Sequence, residues 1–367
     1  MSGPMKVAVI GAGSISDEYL SALTSYREIE VVGVADIDGS RAAAQAFRHG
    51  VPRAGTTAEI LALDDVELIV NLTIPTVHAE VAMQAIEAGK HVWGEKPLTL
   101  DRASALEVLD AARVRGLTVG NAPDTVLGRG IQNSHRLIQD GRIGDVQTVL
   151  TLMQGPGPDA WHPRPDFLFQ RGAGPLFDIG PYYFTALVML LGPVTEVQAV
   201  GHRAFDVRTV PHGDRKGNRI PVEVQTHVSV LTRFRSGVVG TSIYSFDSPV
   251  RRQLFEVTGS DGMLTVPVSG FDGPSRFHPA RQERETFEDL EPAGEPRERG
   301  VGVREMVRAI RAGEPPRASG ELAYHVLDAM LAVEESMEAG RPVAVASDVG
   351  PIPPLPAGWD AAGSDAR

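Results

Sequence analysis

The stretch Lys6-Val7-Ala8-Val9-Ile10-Gly11-Ala12-Gly13-Ser14-Ile15-Ser16, followed a helix-length later by Val31-Val32-Gly33-Val34-Ala35-Asp36, decides how the rest of the chain is read. Val7–Ile10 is short, apolar and rich in β-branched residues, which suits a strand buried on both faces. It runs straight into Gly11-Ala12-Gly13, after which Asp17 to Tyr26 reads as a helix. A second buried strand, Val31–Ala35, ends at Asp36, 36 − 13 = 23 positions after Gly13. A strand, a glycine turn, a helix and a strand closed by an acid at this distance form the pattern of a dinucleotide-binding βαβ unit. Gly11 permits the tight turn, Gly13 lets backbone approach a pyrophosphate, and Asp36 can accept hydrogen bonds from ribose hydroxyls. Ser16 replaces the third glycine of the strict pattern but is small enough for close helix–strand packing. Gly11, Gly13, Ser14, Ile15, Asp36 and Ile37 are therefore candidate cofactor contacts. A carboxylate at position 36 would repel a 2′-phosphate, so NAD is expected over NADP. Arg41, the nearest base, falls in the next helical stretch and is expected to be solvated.

With 367 residues the chain can bury two substantial cores. Its net charge of −12 weighs against nucleic-acid or anionic-membrane surfaces. The absence of cysteine excludes disulfides, thiolate nucleophiles and cysteine-held zinc, and fits a reducing cytoplasm; no metal site is expected. Met1-Ser2-Gly3-Pro4 leads directly into the first strand, which leaves no room for a signal peptide. The longest apolar run, Phe184–Leu191, is too short to cross a bilayer.

After Asp36 the same alternation continues. Helical stretches at Ser40–Arg48 and Thr57–Leu63 precede a third buried strand, Glu67–Leu72, which opens into Thr73-Ile74-Pro75-Thr76-Val77-His78. A helix to Glu87, a strand His91–Trp93, the run Gly94-Glu95-Lys96-Pro97, a helix Asp101–Arg113 and a strand Leu117–Gly120 ending at Asn121 follow. Alternating strands and helices imply a parallel, doubly wound sheet with ligands beyond the carboxyl ends of its strands. Gly11, Asp36, Thr73, Lys96 and Asn121 all fall at such ends. An amine at Lys96, beside that crevice, can take a hydroxyl proton while hydride leaves the same carbon.

From Pro123 the pattern changes, so residues 1–122 are assigned to a Rossmann domain, 123–349 to a second domain and 350–367 to a loose tail. A helix is expected over Val126–Gln139 and a strand over Val146–Met153. Gly155 to Pro165, dense in glycine and proline and carrying Trp161 and His162, reads as a lid or substrate wall. Asp178 and Tyr182, four apart ahead of an apolar helix, share one helical face. Alternation over Val222–Phe234, a turn at Ser236-Gly237 and a return over Val238–Phe246 mark a largely antiparallel sheet with helices on one side. Its other face suggests a homo-oligomer contact, as a homodimer or homotetramer. Phe277 to Arg299 reads as an exposed excursion, and Glu321–Ala339 as a helix closed by Gly340.

Gly-Ala-Gly-Ser-Ile-Ser with Asp36, then Thr73-x-Pro75-x-x-His78, then Glu95-Lys96-Pro97, resembles the Gfo/Idh/MocA family over most of the chain to about residue 345. That resemblance implies an NAD(P)-dependent oxidoreductase of sugars, inositols and related polyols. It implies that Lys96 is the catalytic lysine, that Thr73, Pro75 and His78 line the cofactor, and that Glu95 lies near the nicotinamide. It further implies that Asp178 orients Lys96 and that Tyr182, where many members have histidine, is the second proton-handling group. Trp161 and His162 would contact substrate. With no dense basic cluster beside these motifs, the expected substrate is an unphosphorylated sugar or cyclitol. A redox-assisted glycosidase and a non-catalytic NAD-responsive regulator are the alternative functions that the resemblance leaves open.

Overall fold

The computed structural model describes residues 3–268 and 270–359. The chain divides into two compact units: residues up to Gly128 with Arg297–Leu327, and Arg129–Pro296 with residues from Asp328 onward.

The first unit runs β1 (Met5–Ile10), α1 (Ser14–Leu23), β2 (Ile29–Ala35), α2 (Gly39–His49), β3 (Ala54–Gly55), α3 (Thr57–Leu61), β4 (Leu68–Asn71), α4 (His78–Glu87), β5 (His91–Gly94), α5 (Arg102–Val114) and β6 (Val119–Asn121). Its strands form one six-stranded parallel sheet in the order β3-β2-β1-β4-β5-β6. Val7, Val9, Val34, Leu68, Ile69 and Val70 are fully buried, as a strand covered on both faces requires. Each such side chain contributes roughly 1.5–3 kcal/mol through its removal from water. Local chemistry sets the helix ends. The Asp38 carboxylate accepts from the Ser40 amide at the start of α2, and Gly50 ends that helix in the left-handed region at φ 66°. Thr56 and Glu59 cap α3 reciprocally.

The ladder register is what positions a site. Ile10 pairs with Ala35 and with Asn71, Asn71 pairs with Gly94, and Gly94 pairs with Asn121. Parallel strands of equal rise whose last residues are paired finish flush. Whatever follows them lies along one edge of the sheet, and the strand order reverses on passing from β1 to β4.

The second unit holds α6 (Arg129–Gln139), β7 (Val146–Gln154), α7 (Gly174–Leu191), β8 (Val194–His202), β9 (Val207–Thr209), β10 (Arg219–Pro221), β11 (His227–Phe234), β12 (Val239–Ser245), β13 (Arg252–Gly259), β14 (Gly262–Thr265), β15 (Ser275–Pro279) and β16 (Glu288–Leu290). Next come α8 (Val301–Ala312) of the first unit, α9 (Gly320–Ala339), which passes from the first unit into the second, and β17 (Val343–Ala344). Nine strands order as β16-β15-β14-β13-β7-β12-β11-β8-β17, antiparallel throughout except for the β7–β12 pair. One face is buried through Val149, Val228, Val230, Phe234, Tyr244, Phe255 and Val257. α7 packs against β11 and β12. It is long and apolar enough by composition to cross a membrane, but 78% of it is buried within the protein.

Four expectations need correction. The alternation from Val222 is not one strand: β11 begins at His227, and Val222 instead joins Phe169, Val210, Ile220 and Phe246 in a separate apolar cluster. The helix expected from Val126 is split, because Asp124–Leu127 is a 3-10 turn and α6 starts after Gly128 turns extended at ψ 151°. The excursion over 277–299 contributes β15 and β16 to the sheet edge. At its end Arg297 is 7% exposed and donates to the Leu127 carbonyl. Residues from 350 are not loose as far as 359, since the buried Leu355 donates its amide to Gln132 Oε1 at 2.6 Å and accepts from Arg136 at 2.7 Å. The remainder of that segment, 360–367, lies outside the described residues.

Candidate active site

In the first unit a cavity of about 420 Å³ opens at the flush edge of the sheet, lined among others by Gly11, Gly13, Asp36, Ile37, Thr73 and Ile74. Gly11 is there for two reasons: its φ is +106°, and a Cβ on it would lie 2.6 Å from the Leu72 carbonyl carbon and oxygen. A Cβ on Gly13 would meet nothing within 4 Å, so this turn is open to a ligand. Ser16 is fully buried and donates to the Gly13 carbonyl at 2.6 Å, which pins the start of α1.

The Asp36 carboxylate ties the turn to the end of β2. Its Oδ2 accepts from the Ala12 amide at 2.7 Å and its Oδ1 from the Asp38 amide at 2.8 Å. A carboxylate has about four lone-pair sites, so two remain for ribose hydroxyls. Ile37 and Ile74 are 101% and 65% exposed on the cavity wall, an arrangement suited to a flat aromatic base. Sequence reading named Ile37 and missed Ile74; an exposed isoleucine just past a strand end was the available signal. Arg41 also lines the cavity, with its Nε 3.1 Å from Asp38 Oδ2.

Thr73 donates its hydroxyl to Asn71 Oδ1 at 2.6 Å. His78 corrects the sequence-based expectation. It is 2% exposed, and its ring nitrogens lie 2.7 Å from the Pro97 carbonyl and 3.0 Å from the Thr73 carbonyl. It therefore holds the Thr73 turn to the Glu95-Lys96-Pro97 segment from behind rather than facing a ligand. Pro75 opens a short 3-10 turn beside it. The ladder carries on past the strand ends, with the Glu95 amide donating to the Asn71 carbonyl at 2.9 Å and so fixing Lys96 at the sheet edge. Asn121 donates to the carbonyls of Gly94 and Ala122 at 2.9 and 3.0 Å, while its Oδ1 is buried without a partner.

Glu95 has company that the sequence did not announce. Its Oε1 accepts from the Tyr19 hydroxyl at 2.7 Å, and Trp93 Nε1 donates to that hydroxyl at 3.3 Å. Arg299 stands 4.0 Å from Glu95 and 3.6 Å from Asp124, and Asp124 also accepts from the Gly300 amide at 2.7 Å. Burial raises the Asp124 carboxyl to about 6, opposed by Arg299 and assisted by Glu95. Burial and the neighbouring carboxylates lift the Tyr19 phenol well above its ordinary value. This cluster supports the segment that carries Lys96.

In the second unit, α7 brings Asp178 to a cavity of about 270 Å³ whose wall includes Trp161, Gln154, Arg251 and Arg252. Tyr182 follows one turn later on α7 and is half-buried. His162 is held edge-on between Trp161 and Phe167, with ring centroids 5.5 Å from each, and accepts from the Arg164 amide at 3.0 Å. The 155–161 loop is built on Arg208. Its guanidinium is 11% exposed, pairs with Asp159 at 3.0 Å and Asp247 at 3.3 Å, and donates to the Pro156 and Phe246 carbonyls. Phe169, by contrast, is core.

The glycine turn with no room for a side chain at Gly11, the open approach at Gly13, the tethered Asp36 and the orphaned Asn121 oxygen suit a nicotinamide dinucleotide. Together with this fold they define a Rossmann-type NAD(P)-dependent oxidoreductase. Residues 5–122 match the oxidoreductase family with the NAD-binding Rossmann fold, and residues 131–265 match the GFO/IDH/MocA C-terminal domain. The chain belongs to the Gfo/Idh/MocA family. It is 28% identical over 353 residues to a dTDP-3,4-didehydro-2,6-dideoxy-alpha-D-glucose 3-reductase of Saccharopolyspora spinosa, covering 93% of this chain and 99% of that one. It is 26% identical to D-xylose 1-dehydrogenase (NADP(+)) 2 of Haloferax volcanii, covering 92% and 99%. A levoglucosan dehydrogenase solved with NADH and L-sorbose shares the fold at a TM-score of 0.82, with 21% identity over 94% of this chain and all of the other.

Proposed function

We propose that the protein transfers hydride between NAD and a secondary alcohol of a sugar or cyclitol. The observation that carries this reading is the place of Lys96, which follows β5 at the flush sheet edge where the dinucleotide turn also lies. When bound, the nicotinamide supplies the hydride acceptor. Lys96 takes the hydroxyl proton, Asp178 and Tyr182 offer hydrogen bonds to the reacting and neighbouring oxygens, and Trp161 covers a ring face. Asp36 supports NAD over NADP by charge repulsion of a 2′-phosphate, and Arg41, held by Asp38, does little to offset it.

Screening sugars, inositols and glycosides with NAD and NADP, while following the absorbance of reduced cofactor, tests the assignment. Lys96→Ala should keep cofactor affinity and lose about 10²–10⁴-fold in turnover; unchanged turnover refutes it. Aglycone release from a nitrophenyl glycoside without net reduced cofactor would point to the redox-assisted glycosidase instead.

A second copy of the chain is the proposed occupant of the outer sheet face. There Leu150, Thr241 and Leu231 form one cross-strand row, with Leu150 40% and Leu231 54% exposed. A monomeric mass in solution would exclude this. A reducing cytoplasm is the proposed setting, supported by the cysteine-free sequence.

A further inference from the structure

A proton acceptor at Lys96 works only if its place relative to the dinucleotide turn is fixed, and one phenol ties the two together. Tyr19 lies on α1, about one turn beyond Ser16, whose hydroxyl pins the Gly13 carbonyl. Its ring is fully buried. The hydroxyl accepts from Trp93 Nε1 at 3.3 Å and donates to Glu95 Oε1 at 2.7 Å, which joins α1 to the end of β5 and to the residue just beyond it. Glu95 presents its other oxygen to the next residue: Oε2 accepts from the Lys96 backbone amide at 3.2 Å. From the helix that starts at the glycine turn, the Lys96 backbone is therefore reached through Tyr19 and Glu95 by two hydrogen bonds.

The Glu95 side chain is only 12% exposed, and a carboxylate so placed needs its lone pairs met by the protein. Arg299 is 4.0 Å from it, beyond hydrogen-bond distance, and also faces Glu18 and Asp124. Tyr19 supplies the short contact, and a hydrogen bond to an ionised oxygen is stronger than a neutral one. The phenol is kept as a donor, because burial and the neighbouring carboxylates oppose its ionisation. We propose that Tyr19 is a positioning residue for hydride transfer: through Glu95 it holds the Lys96 backbone in register with the helix that starts at the dinucleotide turn. This rests on the reading of Lys96 given above. Proton and hydride transfer demand close alignment, and a misplacement of about 1 Å can cost about 10²-fold in rate.

The test is steady-state kinetics of Tyr19→Phe, alone and combined with Lys96→Ala, together with amide hydrogen exchange of the full-length protein read on peptides covering residues 94–98. Phenylalanine keeps the buried ring and removes only the donor. It should lower kcat by about 10- to 100-fold while the sugar KM and the NADH affinity stay within about twofold of wild type. Exchange at the Lys96 amide should quicken about fivefold or more. On the Lys96→Ala background the same change should lower residual turnover by less than about twofold, because the group it positions is gone. Glu95→Gln leaves an acceptor for Tyr19 but none for the Lys96 amide, so it should reproduce the loss in kcat; it carries the comparison if Tyr19→Phe does not fold. An unchanged kcat, a loss confined to KM, or a full further loss on the Lys96→Ala background overturns the proposal. If the wild type oxidises no sugar with either cofactor, the dehydrogenase reading fails, and exchange still decides the tie to Lys96: an unchanged rate at that amide overturns it.

Discussion

Replacing Asp124 by asparagine gives the sharpest test of the cluster behind Lys96. The carboxyl is fully buried, and its shift from 3.8 to about 6 corresponds to about 3 kcal/mol of disfavoured ionisation in the folded state. The sign follows from proton linkage. Between about pH 4 and pH 6 the folded protein holds a proton on Asp124 that the unfolded chain has released, so stability falls as pH rises through that window. Below it the group is protonated in both states, and above it the loss is complete. Asparagine keeps the shape but cannot ionise. The unfolding free energy of Asp124→Asn minus that of the wild type should therefore climb by about 3 kcal/mol from about pH 4 to about pH 7. Every other titrating group largely cancels in that difference. Urea unfolding followed by the fluorescence of Trp93 is a suitable assay, because Trp93 and Asp124 flank Gly302. Parallel pH profiles for the two proteins, or a difference that shrinks with rising pH because Arg299 holds the carboxyl down, would refute the argument.

Three further outcomes follow from the same geometry. Gly11→Ala forces a Cβ to 2.6 Å from the Leu72 carbonyl at a φ of +106°; it should cost about 3 kcal/mol and abolish dinucleotide binding in titration, and retained affinity would contradict the close-approach argument. Asp36→Asn removes the charge that opposes a 2′-phosphate, so the NADP-to-NAD ratio of kcat/KM should rise about tenfold or more; an unchanged ratio removes the basis for the NAD assignment. Arg208→Ala strands Asp159 and Asp247 without their counter-charge and should cost the second unit about 3–5 kcal/mol, seen as a lowered Tm together with altered Trp161 emission. A loss below about 1 kcal/mol would place that ion triad among dispensable surface pairs.

What the sequence made legible was whatever depends on neighbours along the chain. The run from Val7 to Asp36 encodes its strand, turn, helix and strand locally, and parallel pairing then aligns Gly11, Asp36, Lys96 and Asn121 without further instruction. The period-two pattern failed at Val222 because alternation records which side a residue faces and not where the backbone changes direction. His78 was given to the cofactor because a motif lists residues without saying which of them face the ligand and which brace the loop. Tyr19, Asp124 and Arg299 are far apart in sequence and gain their meaning only by being brought together against Glu95.

The split composition of the first unit bears on how the protein comes to exist. Its sheet is complete by Asn121, yet Gly120 bridges to Ser319, a Cβ on Gly120 would strike Met306, and one on Gly302 would strike Trp93. A ribosome that has released only the opening third of the polypeptide has therefore delivered every strand of the nucleotide fold and none of its covering α8. At about 5–20 residues per second the uncovered flank waits on the order of ten seconds or more for its partner. That delay makes the nascent chain, rather than the finished enzyme, the species most in need of a chaperone.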